Sequence, residues 1–374
     1  MGKTAFKLVL ILLITFLSAC ANQKTLERMG LITTMGYDLT EDGKILTTMV
    51  LLQIDPEAPQ NSTILTSKAA TSKGARINSD LKSPKKLQSG QLRVALYSEE
   101  IAEVGIINLA DTLARDPAIS DLTYLAVVEG STNKILEQKN PQFSDISQLI
   151  YKELDQNIKG ELIPSTTLQE TIHDYYADGI DMILPTLKGE DGQVRISGMA
   201  LFKDDRMVGK ITPTEGFYLK LINDRYEAGA LELTVSKEGF KSLIEDKEPD
   251  ELAVVMDTIH SKSDIKLTSK DKLKFNLSIT LKTRLLEVNQ TIDLKDPENV
   301  KLLEKKIKEK IEKEVASLVS KAQSKNSDPF GFGEIYRKSV RHANLTKKKW
   351  HEMYPDSKIN VVIDFEIMRT GVVE

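Results

Sequence analysis

The chain has 374 residues, of which 40% are hydrophobic and 28% charged, a composition typical of two or three globular domains and not of a disordered chain. Its 51 basic and 55 acidic residues give a net charge of −4, so there is no overall positive field to hold nucleic acid. One cysteine and four histidines exclude an internal disulfide framework and a cysteine-rich zinc site.

The first twenty residues have the pattern of a bacterial lipoprotein signal. Lys3 and Lys7 form a charged start, the apolar run 8–16 follows, and Leu17-Ser18-Ala19 precedes the only cysteine, Cys20. The apolar run has the length of a secretory signal and is shorter than the stretch that a membrane-spanning helix requires. The alternatives are an ordinary signal peptide or an N-terminal anchor in which the cysteine has no role. We predict a signal peptide at 1–19 and a diacylglycerol group on the thiol of Cys20.

Lipid attachment would place the mature chain on the outer face of a membrane. Two acyl chains anchor a protein stably, whereas a single chain binds marginally. Removal of Lys3 and Lys7 with the signal leaves 49 basic against 55 acidic residues, so the acyl chains rather than net charge would provide the attachment. No cofactor is predicted apart from this covalent lipid.

Strands and helices alternate in the first part of the mature chain. A hairpin is predicted over 31–55, where two runs rich in Ile, Val, Thr and Leu flank the turn Glu41-Asp42-Gly43. Ser98 is a candidate N-cap for a helix that reaches Ala114. Further strands are predicted at 64–72, 91–97 and 122–128, and further helices at 73–87, 144–157 and 166–177. This order indicates a sheet with covering helices in an α+β domain over 20–190.

The segment that follows begins with a turn or linker at 189–192. A second hairpin is predicted over 194–211 around Lys203-Asp204-Asp205, followed by a helix at 212–223 and a strand at 229–235. With a second boundary near 247–250, these elements form a middle α+β domain over 191–250.

The last part, a domain over 251–374, contains the clearest helix of the sequence. Over 296–325, apolar residues recur every three or four positions, which indicates a helix that covers a sheet; a partner-binding coiled coil is the alternative. Strands are predicted at 252–260, 272–288 and 359–368. The predicted fold class is therefore α+β, with mixed sheets, covering helices and three domains, the last being a few antiparallel strands packed on one long helix.

The sequence has no catalytic or metal-binding motif. It contains no G-x-S-x-G, no complete P-loop and no G-x-G-x-x-G. His351-Glu352 begins like a zinc-protease motif, but Pro355 stands where the second histidine is required. Asp204-Asp205 is interpreted as a hairpin turn, because Asp favours turns. We therefore predict no catalytic residue, no cofactor site and no metal site, and a protein that is not an enzyme.

Two phenylalanines alternate with glycines directly after the predicted long helix, in the sequence Asp328-Pro329-Phe330-Gly331-Phe332-Gly333. Pro329 ends the helix and the glycines permit a tight turn. In one interpretation the phenylalanines bury against the sheet, and in the other they contact a partner. Trp350 follows three lysines and is interpreted either as packed inward at a helix end or as part of a contact with lipid headgroups or an acidic partner. Phe330, Phe332 and Trp350 are thus candidate partner contacts.

Several short motifs resemble, in the same order along the chain, those of the Ger(x)C family, the lipoprotein C subunits of nutrient germinant receptors in endospore-forming bacteria. The N-terminal motifs are Gly36-Tyr37-Asp38, 98–106 (SEEIAEVGI) and Arg115-Asp116-Pro117. The C-terminal ones are 198–203 (GMALFK) with Val208-Gly209, then 327–333, Trp350 and Arg369-Thr370-Gly371. Ala21-Asn22-Gln23 departs from the family's usual start after the lipidated cysteine.

The resemblance implies a non-enzymatic α+β protein of three domains in the spore's inner membrane. Its implied partners are two integral-membrane subunits of the A and B type, and we expect neither nucleic acid nor the nutrient itself to bind this chain. The alternative from another class is a solute-binding lipoprotein of a transporter, which should show two similar lobes. A lipid-anchored hydrolase is disfavoured by the missing motifs.

Overall fold

The computed structural model describes residues 29–52, 62–138, 145–190, 192–223, 229–240, 251–289 and 293–370, together with residues 2 and 143. Cys20 and the predicted signal peptide, apart from residue 2, lie outside the described residues, and both stay predictions.

A nine-stranded sheet occupies the N-terminal half of the chain. Its strands are β1 (Met29–Leu39), β2 (Ile45–Leu52), β3 (Ser62–Ala69), β4 (Lys86–Gln88), β5 (Val94–Ser98), β6 (Tyr124–Val128), β7 (Ile183–Glu190), β8 (Gln193–Lys203) and β9 (Arg206–Ile211). The order is β3-β2-β1-β5-β6-β7-β8-β9, with β4 beside the start of β1. Strands β1, β4, β5, β6 and β7 run parallel, so they all begin at one edge of the sheet, which we call the starting edge.

Helices cover both faces of this sheet. They are α1 (Ser72–Asp80), α2 (Glu99–Val104), α3 (Ile107–Ala114), α4 (Thr132–Leu136), α5 (Ile146–Lys159) and α6 (Leu168–Tyr176). Apolar residues of α2, α3 and α6 pack into the core on one face, and those of α4 and α5 into the core on the other. Burial on both faces explains why the central parallel strands β5 and β6 are almost continuous apolar runs.

The predicted helix from Ser98 to Ala114 is two helices. Ser98 caps α2, its Oγ accepting the N–H of Ile101 at 3.3 Å, as predicted. Gly105 then breaks the helix with a φ of +133°, a conformation that favours glycine. The N–H of Ile106 donates to the carbonyl of Asp205 at 3.1 Å, so a contact from a distant turn fixes the break.

The hairpin predicted over 194–211 is present as β8 and β9, but it continues the large sheet. Strand β7, which the sequence did not indicate, pairs antiparallel with β8, and Gly192, with a φ of +76°, lies in the turn between them. Gly189 and Glu190 are the last residues of β7 and pair with β8, so this stretch lies within a hairpin rather than in a linker. The division into domains at 20–190, 191–250 and 251–374 stays a prediction, and the sheet crosses the first of these boundaries.

The C-terminal half contains a four-stranded sheet of order β10-β11-β12-β13, with β10 (Ala230–Ser236), β11 (Glu251–Ser269), β12 (Lys274–Val288) and β13 (Lys358–Thr370). The first three strands are antiparallel, which was predicted, but β13 pairs parallel to β12, which was not. The reason is the long connection between them, because three helices carry the chain back to the end at which β12 began. The α+β class with mixed sheets and covering helices is confirmed.

Helices of the C-terminal half are α7 (Pro213–Asn223), α8 (Pro297–Ser324), α9 (Phe332–Ser339) and α10 (Lys347–Met353). The long helix α8 begins after its N-cap Asp296, and its apolar stripe is buried from Leu303 onwards, with Ile307 and Val315 among its members. This stripe packs with α7 and the four-stranded sheet in one hydrophobic core. The burial supports the interpretation of α8 as a covering helix.

Candidate functional site: a buried Asp–His–Asp junction

The carboxylate of Asp328 organises the turn that follows α8. One oxygen accepts the backbone N–H groups of Phe330 at 3.3 Å and Gly331 at 3.0 Å, and the other accepts that of Gly333 at 2.9 Å. Gly331 has a φ of +76°, which a side chain would disfavour. Asp328 itself is completely buried. The unusual Asp-Pro-Phe-Gly-Phe-Gly sequence is thus a loop folded around one buried carboxylate.

An aromatic cluster encloses this loop. Trp350 is 1% exposed, and its Nε1–H donates to Asp328 at 2.9 Å. Phe332 is 0% and Phe330 6% exposed. The ring centroids of Phe332 and Phe275, on β12, lie 5.3 Å apart in an edge-to-face arrangement, which is favourable for aromatic pairs. The three predicted partner contacts are therefore brought together and are buried in the core, and their contact with a partner stays a prediction.

Asp181, just before β7, joins the junction from the other half of the chain. One of its carboxylate oxygens accepts the N–H of Asp328 at 2.8 Å, and its own N–H donates to the carbonyl of Asp328 at 2.9 Å. Nε2 of His351 lies 3.0 and 2.9 Å from the two oxygens of Asp181. The N–H of Asp204 also donates to a carboxylate oxygen of Asp181, at 3.2 Å. Every hydrogen bond here links segments that are far apart in sequence.

Two glycines let the backbones meet beside these carboxylates. A methyl group on Gly333 would lie 2.5 Å from Cα of Gly179 and 2.7 Å from the ring of Trp350. The N–H of Glu334 donates to the carbonyl of Gly179 at 3.0 Å. Because such separations exclude any side chain, both positions require glycine.

Burial makes the ionisation of Asp328 unfavourable. Desolvation, assisted by the charge of Asp181, raises the pKa of Asp328 to about 7, although the N–H groups of Gly333 and Trp350 act in the opposite direction. Beside the junction, burial lowers the pKa of Lys347, whose Nζ donates to the carbonyl of Tyr175 at 2.6 Å. The carboxylates are buried and occupied by donors of the chain itself, so the arrangement is suited to holding segments together rather than to meeting a substrate.

A groove of about 430 Å³ lies elsewhere, between the β1–β2 hairpin, the start of α1, and helices α2 and α3. Its lining is mostly aliphatic, with Ile101, Val104 and Leu109 among its members, and includes no charged side chain. Within the described ranges, no group of three or more His, Cys, Asp or Glu side chains is placed to hold a metal ion. No helix in the same part of the chain is long and apolar enough to cross a membrane.

Comparison with known families matches both halves of the chain. Residues 22–189 match the "Spore germination protein N-terminal domain", and residues 197–371 match "Spore germination B3/GerAC like, C-terminal". The chain belongs to the Ger(x)C family of spore germination proteins.

Individual relatives agree with this membership. The chain is 25% identical to "Spore germination protein GerQC" of Bacillus cereus over 98% of its own length and 99% of the relative's. It is 23% identical to "Spore germination protein A3" of Bacillus subtilis (strain 168), over 58% of its own length and 60% of that protein's. The crystal structure of the GerBC protein superposes on 89% of this chain and 96% of the GerBC chain, with a TM-score of 0.58 and 18% sequence identity. This similarity shows a shared fold.

The junction connects the two segments that the Ger(x)C comparisons distinguish. Asp181 and Gly179 lie in the N-terminal segment, whereas Asp328, Trp350 and His351 lie in the C-terminal one. Sequence reasoning missed Asp181 and set His351 aside with the incomplete zinc motif. The one signal for His351 was its position next to Trp350 at the end of an otherwise basic segment; nothing local distinguishes Asp181.

Proposed function

We propose that this Ger(x)C protein is the lipid-anchored, non-enzymatic C-type subunit of a nutrient germinant receptor. It is held on the outer face of the membrane, which in the spore is the inner membrane, by a diacylglycerol group on Cys20. There it supports assembly or signalling together with two integral-membrane subunits of the A and B type.

The observation that carries the proposal is the match to GerQC along almost the whole of both chains, combined with a lipoprotein signal that ends at the only cysteine. The buried junction agrees with a role in assembly, because its titratable groups hold the chain's own segments together. The absence of a catalytic motif in the sequence agrees with a non-enzymatic role.

Anchoring is tested by Cys20→Ala, which removes the thiol that acylation requires. The variant should lose its partitioning into the detergent phase, whereas Ser18→Ala, which keeps a small residue before the cleavage site, should partition like the wild type. If Cys20→Ala is processed normally and still partitions with the detergent, the lipid anchor is wrong.

Receptor function is tested by deleting the gene in the spore-forming host. Germination by the nutrients of this receptor should be abolished, and germination by calcium dipicolinate, which bypasses nutrient receptors, should persist. A deletion strain that responds normally to every nutrient, with no paralogous receptor present, would contradict the proposal.

A second candidate is a solute-binding lipoprotein of a transporter, and the groove of about 430 Å³ favours it, since ligand sites are commonly this large. Against it, the nine-stranded and four-stranded sheets do not form two similar lobes. A saturable thermal shift with a single solute would support this candidate, whereas the receptor proposal expects none.

A further inference from the structure

The most exposed apolar side chains of the described residues lie in or beside connections that lead into parallel strands of the large sheet. Leu81 is 84% exposed, Leu122 71%, and Ile77 and Tyr176 63% each. Single exposed apolar residues are common on protein surfaces and carry no meaning by themselves. Their location is what distinguishes these four.

Three of them, Leu81, Leu122 and Tyr176, precede strands that begin at the starting edge, and Ile77 lies in the helix just before Leu81. Ile77 is in the last turn of α1, and Leu81 directly follows that helix on the way to β4. Leu122 comes two residues before β6 begins, and Tyr176 ends the helix that leads to β7. Because β4, β6 and β7 run parallel with β1, the residues that lead into them lie on the side of the sheet from which β1 starts. The start of β4 is level with Met29, and that of β6 is level with Thr34.

Three lysines follow Leu81 on the connection from α1 to β4 and at the first residue of β4. Lys82, Lys85 and Lys86 follow Leu81, and Lys86 pairs directly with Met29, the first residue of β1. Within the described part of the chain, no carboxylate forms an ion pair with any of the three; Lys82 instead donates to the carbonyl of Thr66 at 3.2 Å. The neighbouring Asp80 accepts the N–H of Leu87 at 3.0 Å.

The start of β1 is also the point nearest to the proposed anchor. Only residues 21–28 separate Cys20 from Met29. Fully extended, this segment reaches at most about 30 Å, so the edge that begins at Met29 stays close to the membrane surface. The apolar residues and the lysines are thus on the part of the protein that the tether holds nearest to lipid.

We propose that the starting edge is a membrane-contact surface, with Leu81 and Leu122 entering the headgroup region and Lys82, Lys85 and Lys86 against anionic headgroups. This inference rests on the proposed lipid anchor. Apolar side chains flanked by lysines are the composition of interfacial membrane contacts. Each lysine near an anionic surface strengthens binding by about fivefold, which compensates locally for the negative net charge of the chain.

The test uses the full chain, acylated in its host and reconstituted into vesicles, with one fluorophore on an introduced thiol. Leu81→Cys carries the environment-sensitive label, and Val362→Cys, 40% exposed on the other sheet, is the matched control. The acylated Cys20 does not react with the label, so the introduced thiol alone is modified. Vesicles contain phosphatidylcholine alone or with phosphatidylglycerol, and brominated lipid serves as the quencher.

With phosphatidylglycerol present, the label at position 81 should shift to the blue and be quenched several times more strongly than the label at position 362. Replacing Lys82, Lys85 and Lys86 by Gln should reduce the advantage of anionic over neutral vesicles by at least about tenfold. An acylated protein whose label at position 81 stays in water in both vesicles overturns this proposal alone. If the chain purified from its host carries no acyl group on Cys20, the proposed anchor itself is wrong. Shielding that arises only after the integral-membrane subunits are added would make the edge a protein contact and overturn the lipid assignment.

Discussion

Asp328→Asn should change how the stability of the protein depends on pH. The pKa of Asp328 is about 7 in the folded protein, against about 4 for an aspartate in an unfolded chain. A raised carboxyl pKa means that the folded state binds the proton more tightly than the unfolded state. The stability that this group contributes is therefore fully present below about pH 4 and is lost as the pH rises through about 7. Asn stays neutral at every pH, so it resembles the protonated carboxyl and does not lose stability as the pH rises.

The size of the effect follows from the shift of about three pKa units. Each unit corresponds to about 1.4 kcal/mol, so the whole effect is about 4 kcal/mol, of which about 3 kcal/mol falls between pH 5 and 8. Asn also presents only one oxygen to the four N–H donors that surround the carboxylate, which costs about 2 kcal/mol at any pH. Wild type has lost about 1 kcal/mol of this contribution at pH 5 and all of it at pH 8. We therefore expect Asp328→Asn to be less stable than wild type by about 1 kcal/mol at pH 5 and more stable by about 2 kcal/mol at pH 8.

The measurement is urea unfolding of residues 21–374 at pH 5, 6, 7 and 8, with wild type and variants compared by their free energies of unfolding. Asp116→Asn is the control, because the pKa of Asp116 is shifted in the opposite direction, below its usual value. Burial alone would raise this pKa, but hydrogen bonds from the N–H of Ala118 and from the Arg76 and Ser89 side chains outweigh burial. Its contribution is present above about pH 4 and lost only as the pH falls further. The cost of Asp116→Asn should therefore be constant from pH 5 to 8.

Two results would refute the reasoning for Asp328. If the stability curves of Asp328→Asn and wild type stay parallel from pH 5 to 8, the carboxyl group does not take up a proton in this range. If wild type instead gains stability relative to Asp328→Asn as the pH rises, the sign is wrong and the N–H donors outweigh burial.

Gly333→Ala should destabilise the protein by about 3 kcal/mol in the same unfolding assay, since the added methyl group would lie 2.5 Å from the backbone of Gly179. Gly209→Ala is the control and should be nearly neutral, because its methyl group would lie 3.4 Å from the flexible side chain of Lys325. Phe332→Ala should cost about 3–5 kcal/mol because it empties a fully buried site. Replacing both Phe330 and Phe332 by Ala should abolish nutrient germination, and a native circular dichroism spectrum of that variant would point to a lost partner contact instead of misfolding. Residues 21–374 should show no thermal shift with millimolar amino acids or sugars; occupancy at 100 times Kd would stabilise by about 2.7 kcal/mol and be readily detected.

Local sequence patterns were sufficient to predict the elements whose formation depends on neighbouring residues. The helix at Pro297–Ser324 was predicted to within a residue at each end, because its apolar spacing matches the helical period and Asp296 supplies the cap. The β8–β9 hairpin and the Ser98 cap were likewise readable from turn and capping residues. Family membership was also accessible, since it depends on the order of short motifs along the chain.

Elements decided by distant contacts were not predictable. Gly105 divides a helix because the carbonyl of Asp205 receives the next N–H, and no local pattern contains that contact. The parallel pairing of β13 depends on where three helices return the chain. Phe330, Phe332 and Trp350 were correctly singled out as unusual, but only packing shows that they lie in the core.

The sequence by itself determined the α+β class, the family and the prediction of a lipid on Cys20, because composition, periodicity and ordered motifs are properties of neighbouring residues. Only the tertiary structure revealed that Asp181 meets Asp328 and His351. These side chains are separated by more than a hundred residues between the two segments, and their hydrogen bonds exist only once both sheets have formed around them. It likewise revealed that the connections carrying Leu81 and Leu122 lead into parallel strands of one sheet, because strand pairing joins segments that are distant in sequence.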